Sequence, residues 1–175
     1  MIISFERLTE SHFALLLKWL ELPHVKRWWD RDIAYTFDLV REKFGKHIHS
    51  IKLSRSSSRA TYAYIIYLNK EEIGYIQAYN ARDFALDNGL DLSSISGSIC
   101  GIDLFIGDSN FLNKGIGPQI LNEFEKQVLA PHFNWCLIDP AKDNKAAVRA
   151  FEKAGFEAGE SLQSGSNIWM IKRLL

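Results

Sequence analysis

The sequence predicts an α/β protein whose sheet contains both antiparallel and parallel strand pairs. Two observations carry this. Residues 62–68 and 73–79 are β-branched and aromatic runs joined by the polar stretch 69–72, which reads as a hairpin. From residue 98 onward the pattern becomes strand, helix, strand, helix, which requires a crossover and hence a parallel pair.

The elements follow in order. Residues 2–7 alternate as a short strand. Thr9 can cap a helix to about Leu20, with Phe13, Leu16, Leu17 and Leu20 on one stripe, and Pro23 is expected to end it. Thr36 is placed to cap a second helix, where Phe37, Val40 and Phe44 recur at helical spacing. Residues 54–59 form a serine–arginine loop without pattern. Residues 82–97 are a long polar loop, and loops of that length often carry function. A strand apolar on both faces, except at Asp103, is expected over 98–106. A helix over 116–129, a strand over 135–139 and a helix over 144–154 come next, the last stopped by Gly155. Strands from Phe156 and over 167–173 close the sheet. No repeat, linker or second domain is visible, so residues 1–175 read as one domain.

Composition narrows the function. The chain has 47% apolar and 24% charged residues, ordinary for a globular domain, and a formal net charge of zero, which argues against a general nucleic-acid binder. No uncharged apolar run is long enough to span a bilayer, and residues 1–7 lack a signal-peptide pattern, so a cytoplasmic protein is expected. Cys100 and Cys136 read as buried thiols in a reducing compartment. The five histidines, His47-x-His49 included, make no metal set, and no metal is expected. Arg55 and Arg59 among serines read as a mobile loop. Charge is distributed unevenly. Residues 83–113 hold Asp83, Asp87, Asp91, Asp103 and Asp108 without a lysine or arginine, whereas residues 41–59 carry six basic residues against Glu42. An acidic field beside a site would concentrate a cationic substrate, although loop aspartates are also simply solvated.

Residues with site chemistry cluster between Phe111 and Phe156. In Asn113-Lys114-Gly115-Ile116-Gly117, a two-glycine turn opens a helix whose amides and dipole suit a phosphate. A dinucleotide fingerprint would need glycine where Ile120 stands and a strand directly before the turn; a P-loop would need Gly-Lys-Ser/Thr. Neither fits. Asp103 shares a strand face with Ile99, Gly101 and Phe105. Burial there raises a carboxylate's pKa towards that of a usable base, unless an arginine or backbone amides satisfy it. Asp139 ends the next strand, and a helix begins at Asn144; helix capping around Asp139 and Asp143 is one reading of these acids. Trp28-Trp29 offers flat faces for a sugar ring or cation, or else packs in the core.

These motifs resemble the GNAT acetyltransferase superfamily, and within it the aminoglycoside 6'-N-acetyltransferases. The resemblance spans residues 28–156. It rests on Gly101-Ile102-Asp103, on Lys114-Gly115-Ile116-Gly117, and on Asn144 to Phe156 with its Lys153-Ala154-Gly155-Phe156. It implies a GNAT fold: a mixed, mostly antiparallel central sheet, flanked by helices and splayed at a coenzyme A cleft, in one N-acetyltransferase domain. It further implies acetyl-CoA as cosubstrate and an amine acceptor. By this resemblance Asp103 is the base, and a strand N–H stabilises the developing oxyanion. Leu104, Phe105 and Ile106 pair with the pantetheine arm. Asn113, Lys114, Gly115, Ile116 and Gly117 hold the pyrophosphate, and Asn144, Ala147, Phe151 and Lys153 complete the coenzyme site. Trp28, Trp29, Tyr79, Asp103 and Asp139 meet the acceptor.

Two positions depart from the family. Leu112 stands where glutamine or arginine is usual, as the aminoglycoside branch tolerates. Phe151 replaces the usual tyrosine that protonates the departing thiolate; water, the amine proton or another tyrosine such as Tyr79 then does so, with slower turnover. The expected acceptor is an aminoglycoside. The alternatives are a lysine-derived siderophore precursor, a polyamine or a protein N-terminus, or an idle acyl-CoA-binding module. A monomer or a homodimer fits equally.

Overall fold

The computed structural model describes residues 1–49, 59–85, 89–159 and 165–174. The chain builds β1 (Ile3–Arg7), α1 (Phe13–Leu20), α2 (Pro23–Lys26), α3 (Phe37–Ile48), β2 (Thr61–Leu68), β3 (Glu71–Asn80) and β4 (Ile99–Ile106). It continues with α4 (Ile116–Phe124), β5 (Trp135–Ile138), α5 (Lys145–Lys153), β6 (Glu157–Ala158) and β7 (Met170–Arg173). Among the described residues the strands form one sheet in the order β1-β2-β3-β4-β5-β7-β6. Every pair is antiparallel except β4 with β5. This is the mixed, mostly antiparallel α/β architecture expected.

Helices cover both faces. On one side α1 and α3 bury Phe13, Leu16, Trp19, Val40 and Phe44 against Ile65, Tyr75 and Phe105 of the sheet. On the other, α4 lays Ile120, Leu121 and Phe124 on Ile66, Ile76 and Ile102, with Phe151 of α5 in the same cluster. The alternation of Tyr75 with Ile76 and of Ile102 with Phe105 feeds both cores from two central strands. No helix among the described residues is long and apolar enough to cross a membrane.

Several boundaries differ from the sequence reading for local reasons. A single 3-10 turn, Glu10–His12, separates Thr9 from α1. Pro23 opens α2 at its first position rather than merely ending α1, because the missing N–H there has no intrahelical partner to lose. The hairpin turn is only Asn69-Lys70. Both have positive φ, 50° and 75°, the twist a two-residue turn needs to match the strands. α4 does not run on as regular helix to Leu129; its last turn, Glu125–Leu129, widens to π. Thr36 caps α3 as read, accepting the N–H of Leu39 at 3.2 Å. Residues 54–58 of the serine–arginine loop, and Asp87, lie outside the described residues.

β4 positions the site. Its antiparallel ladder with β3 runs from Cys100 to Ile106. Its parallel ladder with β5 covers only Ile99, Cys100 and Gly101. Asn134 pins the start of that short ladder, its Oδ1 accepting from the N–H and the hydroxyl of Ser98 at 3.0 Å each. Beyond Gly101 the two strands part.

Gly101 also makes room for Tyr79. A Cβ at Gly101 would lie 2.3 Å from the Tyr79 ring, far inside contact distance. Gly101→Ala should therefore displace Tyr79 and destabilise the fold by about 1–3 kcal/mol, measured by urea unfolding; unchanged stability would mean that the ring moves aside freely.

Candidate functional site

Where β4 leaves β5, a cavity of about 610 Å³ opens, bounded by the end of β4, the start of α4, α5 and the Trp28-Trp29 segment. Of the residues singled out from sequence, Leu104, Phe105, Ile106, Asn113, Gly115, Ile116, Gly117, Asn144, Ala147, Phe151, Lys153, Trp28 and Trp29 all line it. Lys114, Tyr79, Asp103 and Asp139 are not on its wall.

The α4 end of this cavity has the character of an anion site. Asn113 and Gly115 both adopt positive φ, 58° and 71°, so the chain turns sharply into the helix. Gly115 caps α4 without a side chain, and a Cβ there would meet nothing within 4 Å. The first amides of a helix have no intrahelical acceptor. Pro118 removes one such donor, leaving those of Ile116 and Gly117 in the first turn. Gly117 lets α5 approach, its would-be Cβ lying 3.5 Å from the Ala150 methyl. Lys114 turns its ammonium over the Phe111 ring at 5.9 Å. Leu112 lines the wall where a polar side chain was the usual expectation. Asn144, rather than the expected Asp139 or Asp143, caps α5, accepting the N–H of Ala147 at 3.2 Å, and it also faces the cavity.

At the β4 end the walls are aromatic and aliphatic. Trp29 packs edge-on to Phe105 (5.1 Å) and Tyr75 (5.8 Å), which ties it to the core, while Trp28 is exposed, with the Arg27 guanidinium over its ring at 4.8 Å. The core-packing reading thus holds for Trp29, and Trp28 remains exposed. Phe151 presents a ring without a hydroxyl. His24, which sequence reasoning passed over, also lines the wall and contacts the Ile106 carbonyl through Nε2 at 3.1 Å.

Asp103 sits two residues beyond the last β4–β5 pair, half-buried. Burial pushes its carboxyl up to about 6; Gln77 opposes this by donating Nε2–H to Oδ2 at 2.8 Å, and the charges of Asp139 and Asp30 add to the rise. No arginine meets it among the described contacts; an uncharged amide does. Asp139 is likewise raised by burial, while its carboxylate accepts from Asn167 Nδ2 at 2.9 Å, so it caps no helix. Burial and both of these acids hold the Tyr79 phenol far above its ordinary range, and its ring stands edge-on to Phe84 at 5.1 Å. Asp30 is paired with Lys43 and Tyr35.

The acidic stretch largely dissolves into local structure. Asp83 accepts the Arg59 N–H at 3.0 Å, Asp91 the Ser93 N–H at 2.9 Å, and Asp108 the Asn110 N–H at 2.8 Å. Loop 89–97 is strapped down by Arg82, whose guanidinium donates to the carbonyls of Leu92, Ile95 and Gly97. The carboxylates whose charges act on Asp103 are Asp139 and Asp30, from separate segments, with Asp30 itself paired to Lys43. Among the described residues no group of three or more potential ligands could hold a metal ion.

Residues 9–164 match the family model described as acetyltransferase (GNAT) domain. The chain is 28% identical over 174 residues to the aminoglycoside N(6')-acetyltransferase type 1 of Klebsiella pneumoniae, covering 97% of this chain and 82% of that one. Among solved structures, it resembles the aminoglycoside acetyltransferase AAC(6')-Ib in complex with coenzyme A and kanamycin. The TM-score is 0.75 at 26% identity, covering 98% of this chain and 95% of the other. The same enzyme in complex with paromomycin and acetyl-CoA superposes with a TM-score of 0.77 at 26% identity, over 99% and 94% of the two chains.

A raised carboxyl carries a sign. The folded state holds the Asp103 proton to about pH 6, the unfolded chain only to about 3.8, so this group costs stability as pH rises through that window and in full above it. Asp103→Asn, still an acceptor for Gln77, should therefore stabilise the protein by about 1–3 kcal/mol at pH 7.5, with the gain fading below about pH 4. Urea unfolding at both pH values checks this; equal stability throughout would show that the carboxylate is not strained by burial.

Proposed function

The chain belongs to the GNAT acetyltransferase family, acetyl-CoA-dependent N-acetyltransferases, and from that premise we propose that it acetylates a primary amine of a cationic small molecule, an aminoglycoside at its 6'-amine. The observation that carries the acceptor reading is the wedge itself. A half-buried carboxyl held near neutrality stands where β4 and β5 part, with two further carboxylates close enough to shift its titration. A protonated amine entering there meets counter-charges and one acid poised to take its proton.

The cavity fits acetyl-CoA, which supplies an acetyl group activated as a thioester. Its α4 end offers the Ile116 and Gly117 amides and the helix dipole for the pyrophosphate, and the free side of β4 at Leu104–Ile106 offers backbone groups to the pantetheine arm. Asp103 accepts a proton from the ammonium, freeing the nitrogen lone pair to form the C–N bond as the C–S bond breaks. Trp28 gives the acceptor a flat face, and Asp139 a counter-charge. Phe151 has no proton to give the departing sulfur. Tyr79, off the cavity wall like Asp103 and Asp139, keeps its phenolic proton; the sulfur leaves as thiolate, the nitrogen sheds its second proton to water as the amide forms, and the thiolate is protonated from the same water. The active unit proposed is one domain over residues 1–175. The resemblance to AAC(6')-Ib supports the aminoglycoside over a siderophore precursor, a polyamine or a protein N-terminus. Phe151 on the cavity wall favours one rival of another class, an acyl-CoA-binding module without turnover.

Free-thiol release from acetyl-CoA across a panel of amines separates these readings. A kanamycin-type aminoglycoside should be the best acceptor, and kcat/KM should climb with pH through about 6. Asp103→Asn should lose that limb and about 10²–10⁴-fold in turnover while acetyl-CoA still binds by calorimetry. Binding without thiol release on any amine would establish the idle module.

A further inference from the structure

We propose that Gln77 is a positioning residue for Asp103, its amide aimed by Tyr75 so that the carboxylate stays oriented and ionisable inside the apolar wedge. The inference rests on the reading of Asp103 as base. Gln77 lies directly opposite Asp103 in the β3–β4 register, with Tyr75 opposite Phe105 and Tyr79 opposite Gly101, so these side chains share one face of the sheet.

Hydrogen-bond capacity fixes the direction of the chain. An ionised carboxylate only accepts, so Gln77 must turn Nε2 to Asp103 Oδ2 (2.8 Å) and its carbonyl away. That carbonyl accepts from the Tyr75 hydroxyl at 2.7 Å. Tyr75 is fully buried, stacked on Phe105 (5.5 Å) and edge-on to Phe44 (5.5 Å) and Trp29 (5.8 Å), which holds its ring in place, and of the two groups within reach of its hydroxyl the Gln77 carbonyl is much the nearer. Burial also holds its pKa well above the usual value, which keeps it a donor at every working pH. Behind it, His47 Nδ1 stands at 3.5 Å, the limit of hydrogen-bonding reach. Burial, with Lys46, Lys43 and Arg7 adding to it, lowers His47 to about 4, so the row ends on a neutral ring.

The charged and titratable groups around Asp103 explain why such a donor is needed. On β3 they are the Tyr75 and Tyr79 phenols, both protonated; after β5 there is Asp139; after α2 there is Asp30. The two acids and burial favour the protonated form. Lys43, the nearby cation of α3, is taken by Asp30 and Tyr35. Among the described residues, the Gln77 amide is the neighbour whose contact favours ionisation.

The test uses Gln77→Met, close in shape but without a donor, and Tyr75→Phe, which removes only the hydroxyl. Three readouts are taken on the full chain: the pH profile of kcat/KM, the Asp103 titration followed by carbon-13 NMR of labelled aspartate, and acetyl-CoA binding. In Gln77→Met the limb and the NMR midpoint should both move up by about one unit. Then kcat/KM at pH 6 falls about fivefold and is nearly regained by about pH 8, with acetyl-CoA affinity unchanged. Tyr75→Phe should shift both in the same direction by less. A midpoint that stays near 6 in Gln77→Met, or in Tyr75→Phe should the first variant not fold, overturns the proposal. If Asp103→Asn kept the wild-type pH profile, the base reading would fall on its own. The NMR midpoint would still report whether Gln77 sets the titration of Asp103.

Discussion

β4 is held by two neighbours over different lengths: β3 accompanies it to Ile106, while β5 lets go after Gly101. Because the longer ladder keeps β4 straight, the parting opens a gap within the sheet rather than fraying its edge. A gap inside a sheet leaves one row of backbone donors and acceptors without a strand partner, and buried backbone groups must be satisfied somewhere. His24 answers for the Ile106 carbonyl. An extended ligand lying along the free side of β4 would answer for others, which is why a pantetheine arm suits this place.

The same parting decides the electrostatics. Asp103 falls just past it and is half-buried, close to the cavity but not on its wall. Full burial would have made an inert protonated acid, and full exposure an ordinary carboxylate near pH 4. A carboxyl near 6, as the proposed base requires, needs the intermediate position, and its burial costs the fold some stability. The row of neutral donors from Tyr75 to Gln77 limits that rise. Phe151 on the cavity wall is compatible with the proposed chemistry, because a thiolate leaves without a dedicated acid, whereas an ammonium does not shed its proton unaided.

Much of this was legible in the residues. Period-two alternation placed Asp103 on a face with Phe105, and Thr36 announced its helix, because caps and pleats are local physics, although the cap of α5 fell on Asn144 rather than on Asp139 or Asp143. Gly115 and Gly117 marked the helix entry for the same reason. What was not legible depended on register or on which of several local roles a residue would take. Nothing in the sequence says that Gln77 faces Asp103, since that is set by where the Asn69-Lys70 turn falls and by the β3–β4 pairing. His24 carried no periodic signal, standing beside Pro23 in a segment expected only to end a helix. The aspartates of residues 83–108 looked like an acidic field, yet Asp83, Asp91 and Asp108 are occupied by neighbouring amides, while Asp139 and Asp30 arrive from afar.

The central claim is that the gap between β4 and β5, with the first turn of α4, is where acetyl-CoA lies. Amide chemical-shift mapping of the full chain titrated with coenzyme A reads this directly. Saturable shifts concentrated at residues 104–106 and 115–117, with the amides of β1 at the far edge unmoved, are the result predicted. Saturation with the largest shifts elsewhere, or no saturable binding, would contradict it.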